Sequence, residues 1–401
     1  MNIVCIASEF KGNPFLRAAR ECGAHVTLLT KNKHLSDSWW WDCIDEVQPT
    51  SDTPTAEEYI NIVTGLSRNR KFDRVCPLDE FDVLPAAHVR HHLQIRGQGI
   101  ESAALFRDKL TMRNMAARKE IPEPDYVSLI HTPDIVDFIE RVAPPWIIKP
   151  RNEVAAFGIR KIHNAEQLWE NLRELDMRNV WRDHPSQYLL EKFIVGQVFH
   201  VDSIVHDFQP LFANVGCYGT PPFEVTHGGG VSTTKLIHYD SPERAELEVL
   251  NRKLLSAFGL QRGITHAEFL HSEETGEFYL LEIASRVGGA FIADVLEAAS
   301  GLNLWAEWAK LELATEEKPY QLPEYRKDYA GIAISLARQE WPDTSAYNDA
   351  EIVMRINKPH HVGLLVNSPD FDRVEFLLNS YCERFSQDFL AIAPAKEHFD
   401  D

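Results

Sequence analysis

The sequence predicts an α/β (α+β) chain built from several units, the first of them a small parallel layer. Three observations carry this. Short β-rich apolar runs alternate with helical stretches in the first hundred residues. Later helices are bracketed by matched start and stop residues. The chain has 401 residues, 44% of them hydrophobic, which suits two to three full-sized cores at roughly 150 residues each.

Taken in order, IVCIA (3–7), a turn at Gly12-Asn13-Pro14, a helix-like FLRAARECG and AHVTLLT (24–30) have βαβ spacing. FDRVCPL (72–78), Asp79-Glu80 and a helical stretch to about residue 93 read as a second such unit. The first turn is SEFKGNP rather than GxGxxG, so it lacks the glycines that let a backbone approach a dinucleotide pyrophosphate. After a glycine-punctuated loop and an amphipathic helix, Pro122 and Pro124 stop the helix, and WIIKP (146–150) forms a strand. AEQLWENLREL follows as a helix with Asn164 as N-cap and Gln167 as its capping-box partner. YLLEKFI and VFHVDSIV are strands. The next helix has Ser241 as N-cap, Pro242 at its first position and Gly259 just past its end. Two strands, ITHAEFLH and EFYLLEIA, precede helices over FIADVLEAAS and LWAEWAKLELA. The last 80 or so residues carry strands YAGIAISLA, AEIVMRI and VGLLVNS and a helix from Pro369 to Phe385, a small α/β cap. The expected boundaries are 1–100, 101–187, 188–315 and 316–401.

The net charge of −19 disfavours electrostatic capture of nucleic acid or of an anionic membrane, so any bound anion needs a local cluster of donors. No apolar stretch reaches a membrane span and no leader is evident, so cytoplasmic residence is expected. The six cysteines show no CxxC pair and read as reduced, mostly buried thiols. Trp39-Trp40-Trp41 reads as packing or an interface, which suits a homodimer, and HVRHH (88–92) as a solvated helix face.

The strongest chemical signal is HAEFLHSEETGEFYLLEIASR (266–286). Glu268 and Glu282 sit on two strand-like runs joined by a turn, so a hairpin can set both carboxylates on one face, as Mg²⁺ requires. Arg286 adds a fixed cationic fork suited to a transferring phosphoryl group. Ordinary surface carboxylates on a hairpin fit the spacing equally well. Lys149 ends a strand before a small-residue loop running to Gly158, and Lys109 lies in a helical RDK; each suits triphosphate oxygens, or solvent. GCYGTPPFEVTHGGGVSTTK (216–235) offers glycines, hydroxyls, Lys235 and His227, a composition that suits an acceptor pocket or a plain loop. Gly288 and Gly289 read as a helix N-terminus able to cradle an oxyanion.

In order, RDKLTMR, IPEPDY, PWIIKP, the loop to Gly158, LLEKFIVG and HAEF…LLEIASR resemble the ATP-grasp superfamily over roughly residues 100 to 315. The resemblance is closest to its carboxylate–amine ligases and biotin-carboxylase-like members. It implies a Rossmann-like N-terminal domain, two α+β lobes clamping ATP, and the C-terminal cap. It makes Lys109 and Lys149 the phosphate-binding lysines, 152–158 the closing loop, and Glu191, Lys192, Phe193 and Ile194 the adenine hinge. Glu268 and Glu282 become the ligands of Mg²⁺ or Mn²⁺, followed by Arg286. Two positions depart. Ala284 stands where many members place a metal-binding Asn, and Val198 where many place a ribose-binding Glu, leaving His200 or Asp202 as substitutes. The implied activity is an ATP-dependent joining of a carboxylate and an amine, amino acids among the candidates, through an acyl phosphate. Arg286, Lys235 and His227 are the catalytic candidates. Bicarbonate activation and a non-catalytic ATP-binding module are the alternatives.

Overall fold

The computed structural model describes residues 1–154, 156–177 and 187–392; the closing loop expected at 152–158 and the boundary at 187 therefore touch residues outside those described. Three sheets organise the chain. The first runs in the order β3-β2-β1-β4, from β1 (Asn2–Ala7), β2 (His25–Lys31), β3 (Glu46–Thr50) and β4 (Arg74–Pro77), all parallel. The central β1 is a near-continuous buried apolar run, whereas the edge strand β3 (EVQPT) is mostly part-exposed. Helix α1 (Asn13–Glu21) opens after Gly12, whose φ of +89° and a Cβ position only 2.8 Å from Leu78 Cδ1 both exclude a side chain. It buries Phe15, Leu16, Ala18 and Ala19, and the Phe15 ring meets Trp308 edge-on at 5.2 Å. Helices α2 (Ala56–Ser67) and α3 (Val83–Leu93) complete the layer. Trp39 is buried against Phe10, whereas Trp40 and Trp41 remain exposed.

Two further helices, α4 (Ile100–Leu105) and α5 (Lys109–Arg118), lead to a second, antiparallel sheet in the order β5-β8-β6-β7. Its strands are β5 (Tyr126–Ser128), β6 (Trp146–Pro150), β7 (Arg160–Ile162) and β8 (Tyr188–Lys192), with α6 (Thr132–Arg141) and α7 (Ala165–Met177) against them. The Asn164 side chain accepts from the Gln167 amide at 2.9 Å, as an N-cap does, whereas the Gln167 side chain accepts from the His163 amide at 2.8 Å, one residue before the N-cap amide a capping box would use. Leu105, Phe106, Met112 and Ala116, however, pack into the core of the third sheet and join the two lobes.

That third sheet has eight antiparallel strands in the order β13-β12-β9-β10-β11-β14-β16-β15. They are β9 (Gly196–His206), β10 (Gln209–Tyr218), β11 (Ser232–Leu236), β12 (Arg262–Ser272), β13 (Phe278–Ala284), β14 (Tyr329–Leu336), β15 (Ile352–Arg355) and β16 (His361–Ser368). Helix α8 (Pro222–Gly228) lies between β10 and β11. Helix α9 (Pro242–Phe258) carries the expected caps: the Ser241 hydroxyl accepts from the Arg244 amide, and Gly259 is left-handed at φ +68°. Its Leu247, Leu254, Leu255 and Phe258 pack on one sheet face. Helices α10 (Ile292–Ser300) and α11 (Leu304–Leu313) pack on the other, and α12 (Phe371–Asp388) covers β14 and β16. The three C-terminal strands thus continue the large sheet through the β11–β14 pair, so the segment expected as a cap shares the sheet that carries the glutamates. All six cysteines are free, and no helix among the described residues is long and apolar enough to cross a membrane.

Candidate active site

The β12–β13 hairpin sets Glu268 directly opposite Glu282, with a bulge immediately after Glu268. A bulge re-aims side chains locally, here at the carboxylate pair. Because side chains alternate along a strand, His266 shares the face of Glu268, and Asp202 and His200 on the neighbouring β9 stand opposite these two. A continuous polar network results. His266 Nδ1 donates to Asp202 Oδ1 at 2.9 Å, and its Nε2 lies 3.3 Å from Glu268 Oε1. His200 Nδ1 lies 2.6 Å from Asp202 Oδ2, and its Nε2 lies 2.8 Å from Thr234 Oγ1. The Tyr218 hydroxyl donates to Glu268 Oε1 at 2.7 Å.

Burial alone would raise the Glu268 carboxyl; the hydrogen bonds from His266 and Tyr218 outweigh it and hold the group below the usual carboxylate range. Burial would likewise deprotonate His266, but the Asp202 carboxylate prevails and raises it to about 10, leaving both ring nitrogens as donors. Two glycines make room for this network. A Cβ on Gly216 would stand 2.4 Å from His200 Nε2, and one on Gly288 would stand 2.8 Å from Asp202 Oδ1. Gly288 thus serves close packing over Asp202, and the helix expected to begin there starts later, at Ile292.

Three cations converge on the same edge. Lys109, the first residue of α5 after its Asp108 cap, reaches Glu282 Oε2 at 2.9 Å and donates to the Glu153 carbonyl at 2.8 Å. Lys149, at the end of β6, pairs with Glu191 Oε2 at 2.6 Å; Arg113 holds Glu191 Oε1 at 2.7 Å and donates to the Leu281 carbonyl. Arg286 grips Glu80 with two nitrogens at 2.8 and 2.7 Å, and Arg107 takes the other Glu80 oxygen at 2.5 Å. Burial opposes ionisation of Glu80, yet Arg286 and Arg107 bring it down to about 2. The parallel layer is therefore tied into the site through the turn after β4.

Several expected roles do not fit this geometry. His200 is buried at 1% exposure within the polar network, so it is not available to a ribose; Asp202 is equally enclosed between two imidazoles. Glu191, in the expected hinge, directs its carboxylate to Lys149 and Arg113. In the expected hinge, the Phe193 amide already donates to the Pro145 carbonyl, so a backbone contact to adenine must use a neighbouring group. Phe193's ring carries Lys161 Nζ at 3.7 Å and faces Phe223 of α8. Lys235 points away from Thr234, as strand periodicity requires, and pairs with Glu375. His227 is exposed, and its ring nitrogens face the Phe223 and Ile159 carbonyls, joining α8 to the small sheet. Gly158 is left-handed at φ +67° in the loop before β7. Sequence reading missed Glu80, Arg107, Arg113, Tyr218 and His266; the Asp79-Glu80 pair at the carboxyl end of a parallel strand was the available signal.

The two glutamates have the chemistry a hard divalent cation takes: two carboxylates stand opposite one another across the hairpin, and Lys109 pairs with one Glu282 oxygen. Ala284 supplies no further ligand. Residues 142–294 match the family model for the ATP-grasp domain. The matched stretch runs from just before β6 into the start of α10. It is 25% identical over 288 residues to the L-arginine-specific L-amino acid ligase of Bacillus subtilis, covering 70% of this chain and 67% of that protein. It is 26% identical over 200 residues to a D-alanine–D-alanine ligase of Pseudomonas putida, covering 48% and 58%. The chain thus spans about two thirds of the first relative's length and less of the second's. Among solved structures, an L-amino acid ligase from Bacillus licheniformis superposes at a TM-score of 0.74 with 16% identity, covering 98% of each chain. An ADP complex of N5-carboxyaminoimidazole synthetase from Staphylococcus aureus superposes at 0.70 with 14% identity, covering 94% and 96%. At these identities the structures speak to the fold alone, which this chain shares over nearly its whole length.

Proposed function

We propose that this protein is an ATP-dependent carboxylate–amine ligase acting on amino acids. The observation that carries the reading is the in-register Glu268–Glu282 pair with Lys109 on Glu282, lying on the face where Arg286 and the Lys149 cluster meet. The names of the amino acid and D-alanine ligases it resembles support the substrate class.

Glu268 and Glu282 would hold Mg²⁺ or Mn²⁺, which in such a site offsets charge on the β- and γ-phosphates of ATP. Lys109 and Lys149 would move from their carboxylate partners onto phosphate oxygens, a change that exchanges one anion for another around each ammonium. In the first step a substrate carboxylate oxygen takes the γ-phosphoryl group; the bond between that phosphorus and the bridging oxygen breaks, and ADP leaves with the electron pair. In the second, the amine nitrogen attacks the acyl carbon, inorganic phosphate departs, and the nitrogen loses a proton to leave an amide. Arg286, locked in place by Glu80, presents a fixed guanidinium to the charge that develops in both steps. Tyr218 and His266 orient the Glu268 carboxylate.

The reading is tested by following ADP release from ATP and Mg²⁺ with pools of amino acids. Release that depends on two amino acids and disappears in Glu282→Ala supports the ligase. Release that depends on bicarbonate alone, or nucleotide binding without turnover, overturns it.

A further inference from the structure

A second cleft lies between the parallel layer and the large sheet, apart from the glutamate pair. It has a volume of about 210 Å³, and Arg90, Arg96, Gln98, Arg262, Ser285 and Glu312 line it. Sequence periodicity places Arg90 on the solvated HVRHH face, yet it is 7% exposed, turned inward along the β4 edge. Its guanidinium donates only to carbonyls, twice to Val75 at 2.9 and 2.6 Å and once to Gln98 at 3.0 Å. Among the described residues, Arg90, Arg96 and Arg262 have no carboxylate within ion-pair distance. Glu312 is engaged elsewhere, accepting from Trp308 Nε1 at 3.2 Å with Arg74 at 3.9 Å. Gln98 accepts from the Ser285 hydroxyl at 3.2 Å, while its buried Nε2 has no partner. A buried donor left unpaired is costly, so its persistence calls for an acceptor. Gly97, at φ +148° and with a Cβ position 2.9 Å from Arg90 Cδ, lets the loop close over the arginine.

Three guanidiniums and a free amide donor facing one carboxylate make this cleft locally cationic in a chain of net charge −19. We propose that the cleft is a second anion site, built for a small phosphate or carboxylate and distinct from the nucleotide pocket. The Gln98 Nε2 and the outer arginines would supply the donors, with Arg90 as the buried positive charge. Because Arg96 and Gln98 follow the parallel layer's α3 and Arg262 and Ser285 belong to the large-sheet hairpin, the anion would tie these units together. The proposal is independent of the ligase reading.

The test is calorimetric titration of the full chain with inorganic phosphate and, separately, malonate. Four proteins are compared: wild type, the double variant Arg96→Ala with Arg262→Ala, Gln98→Glu, and Lys149→Ala. The two arginines are not fully buried, so the double variant keeps its core, and Gln98→Glu presents a like charge to the anion without removing bulk. Lys149→Ala should keep the cleft binding event of wild type, and both cleft variants should lose about tenfold or more in the affinity of that event. Tighter binding of phosphate than malonate assigns a phosphorylated ligand, and the reverse a dicarboxylate. Binding that survives in the cleft variants and falls in Lys149→Ala, or no binding of either probe to wild type, overturns the proposal.

Discussion

At the scale of single residues, charge is held by dedicated partners. Glu268 has Tyr218 and His266, Glu80 has Arg286 and Arg107, and Glu191 has Lys149 and Arg113. Removing a hydrogen bond to a metal ligand usually costs 10- to 100-fold in metal affinity. Tyr218→Phe should accordingly raise the Mg²⁺ concentration for half-maximal ADP release by about tenfold, leaving the far-ultraviolet circular dichroism unchanged. Lys149 is the titrating member of its cluster. Burial first, and Arg113 second, lower it to about 8, against the pull of Glu191. The ammonium needed for phosphate is therefore present below that pH and lost above it. kcat/KM for ATP should decline above about pH 8, and Lys149→Arg should remove the decline, because a guanidinium stays protonated. Asp82 supplies a stability test. Burial and then the neighbouring Asp79 raise its carboxyl to about 7, so the folded state holds a proton that the unfolded chain releases near 4. A raised pKa contributes stability that is complete at low pH and lost as pH rises through 7. Asp82→Asn keeps an oxygen for the Ser8 amide and should flatten that loss, so its melting temperature should exceed that of wild type at pH 8 and approach it near pH 4.

At the scale of elements, the hairpin and its neighbours make the site a property of register. A one-residue slip of β12 would turn Glu268 and His266 to the opposite face, so the pairing with both β9 and β13 is what keeps the carboxylates together. Gly216 on β10 belongs to this scale because its missing side chain admits the His200 ring. Gly216→Ala should destabilise the chain by about 1–3 kcal/mol in urea unfolding, the usual cost of overpacking a tight interior. Much of this level was legible beforehand. The two glutamates and the Ser241, Gly259 and Asn164 caps follow from spacing and local chemistry, which act within a few residues. Roles set across strands were not legible. Lys235 and Thr234 are adjacent in the chain yet face opposite sides of the sheet, and His200 is enclosed by Gly216, Asp202 and Thr234 from two other strands and its own. Without the register, a histidine near a glycine loop reads as accessible.

At the scale of the whole molecule, the site is assembled where three sheets meet. The parallel layer contributes Glu80, the small sheet Lys149 and Glu191, the linking α5 helix Lys109 and Arg113, and the large sheet Glu268 and Glu282. Lys109, Lys149, Glu191 and the two glutamates were legible one by one, whereas Glu80 and Arg113 were not: Glu80 is 206 residues from Arg286, a separation at which no local pattern operates. The same convergence gathers cations in an acidic chain: Lys109 and Lys149 rest on carboxylates at the site, and in the proposed ligase phosphate would take the place of those carboxylates. Activation of a carboxylate by phosphoryl transfer, as proposed, is tested most directly by isotope transfer. With an amino acid labelled with ¹⁸O in its carboxylate, turnover with ATP and a second amino acid should place one labelled oxygen in each inorganic phosphate released and none in ADP. Unlabelled phosphate, or release of AMP and pyrophosphate, would contradict the account.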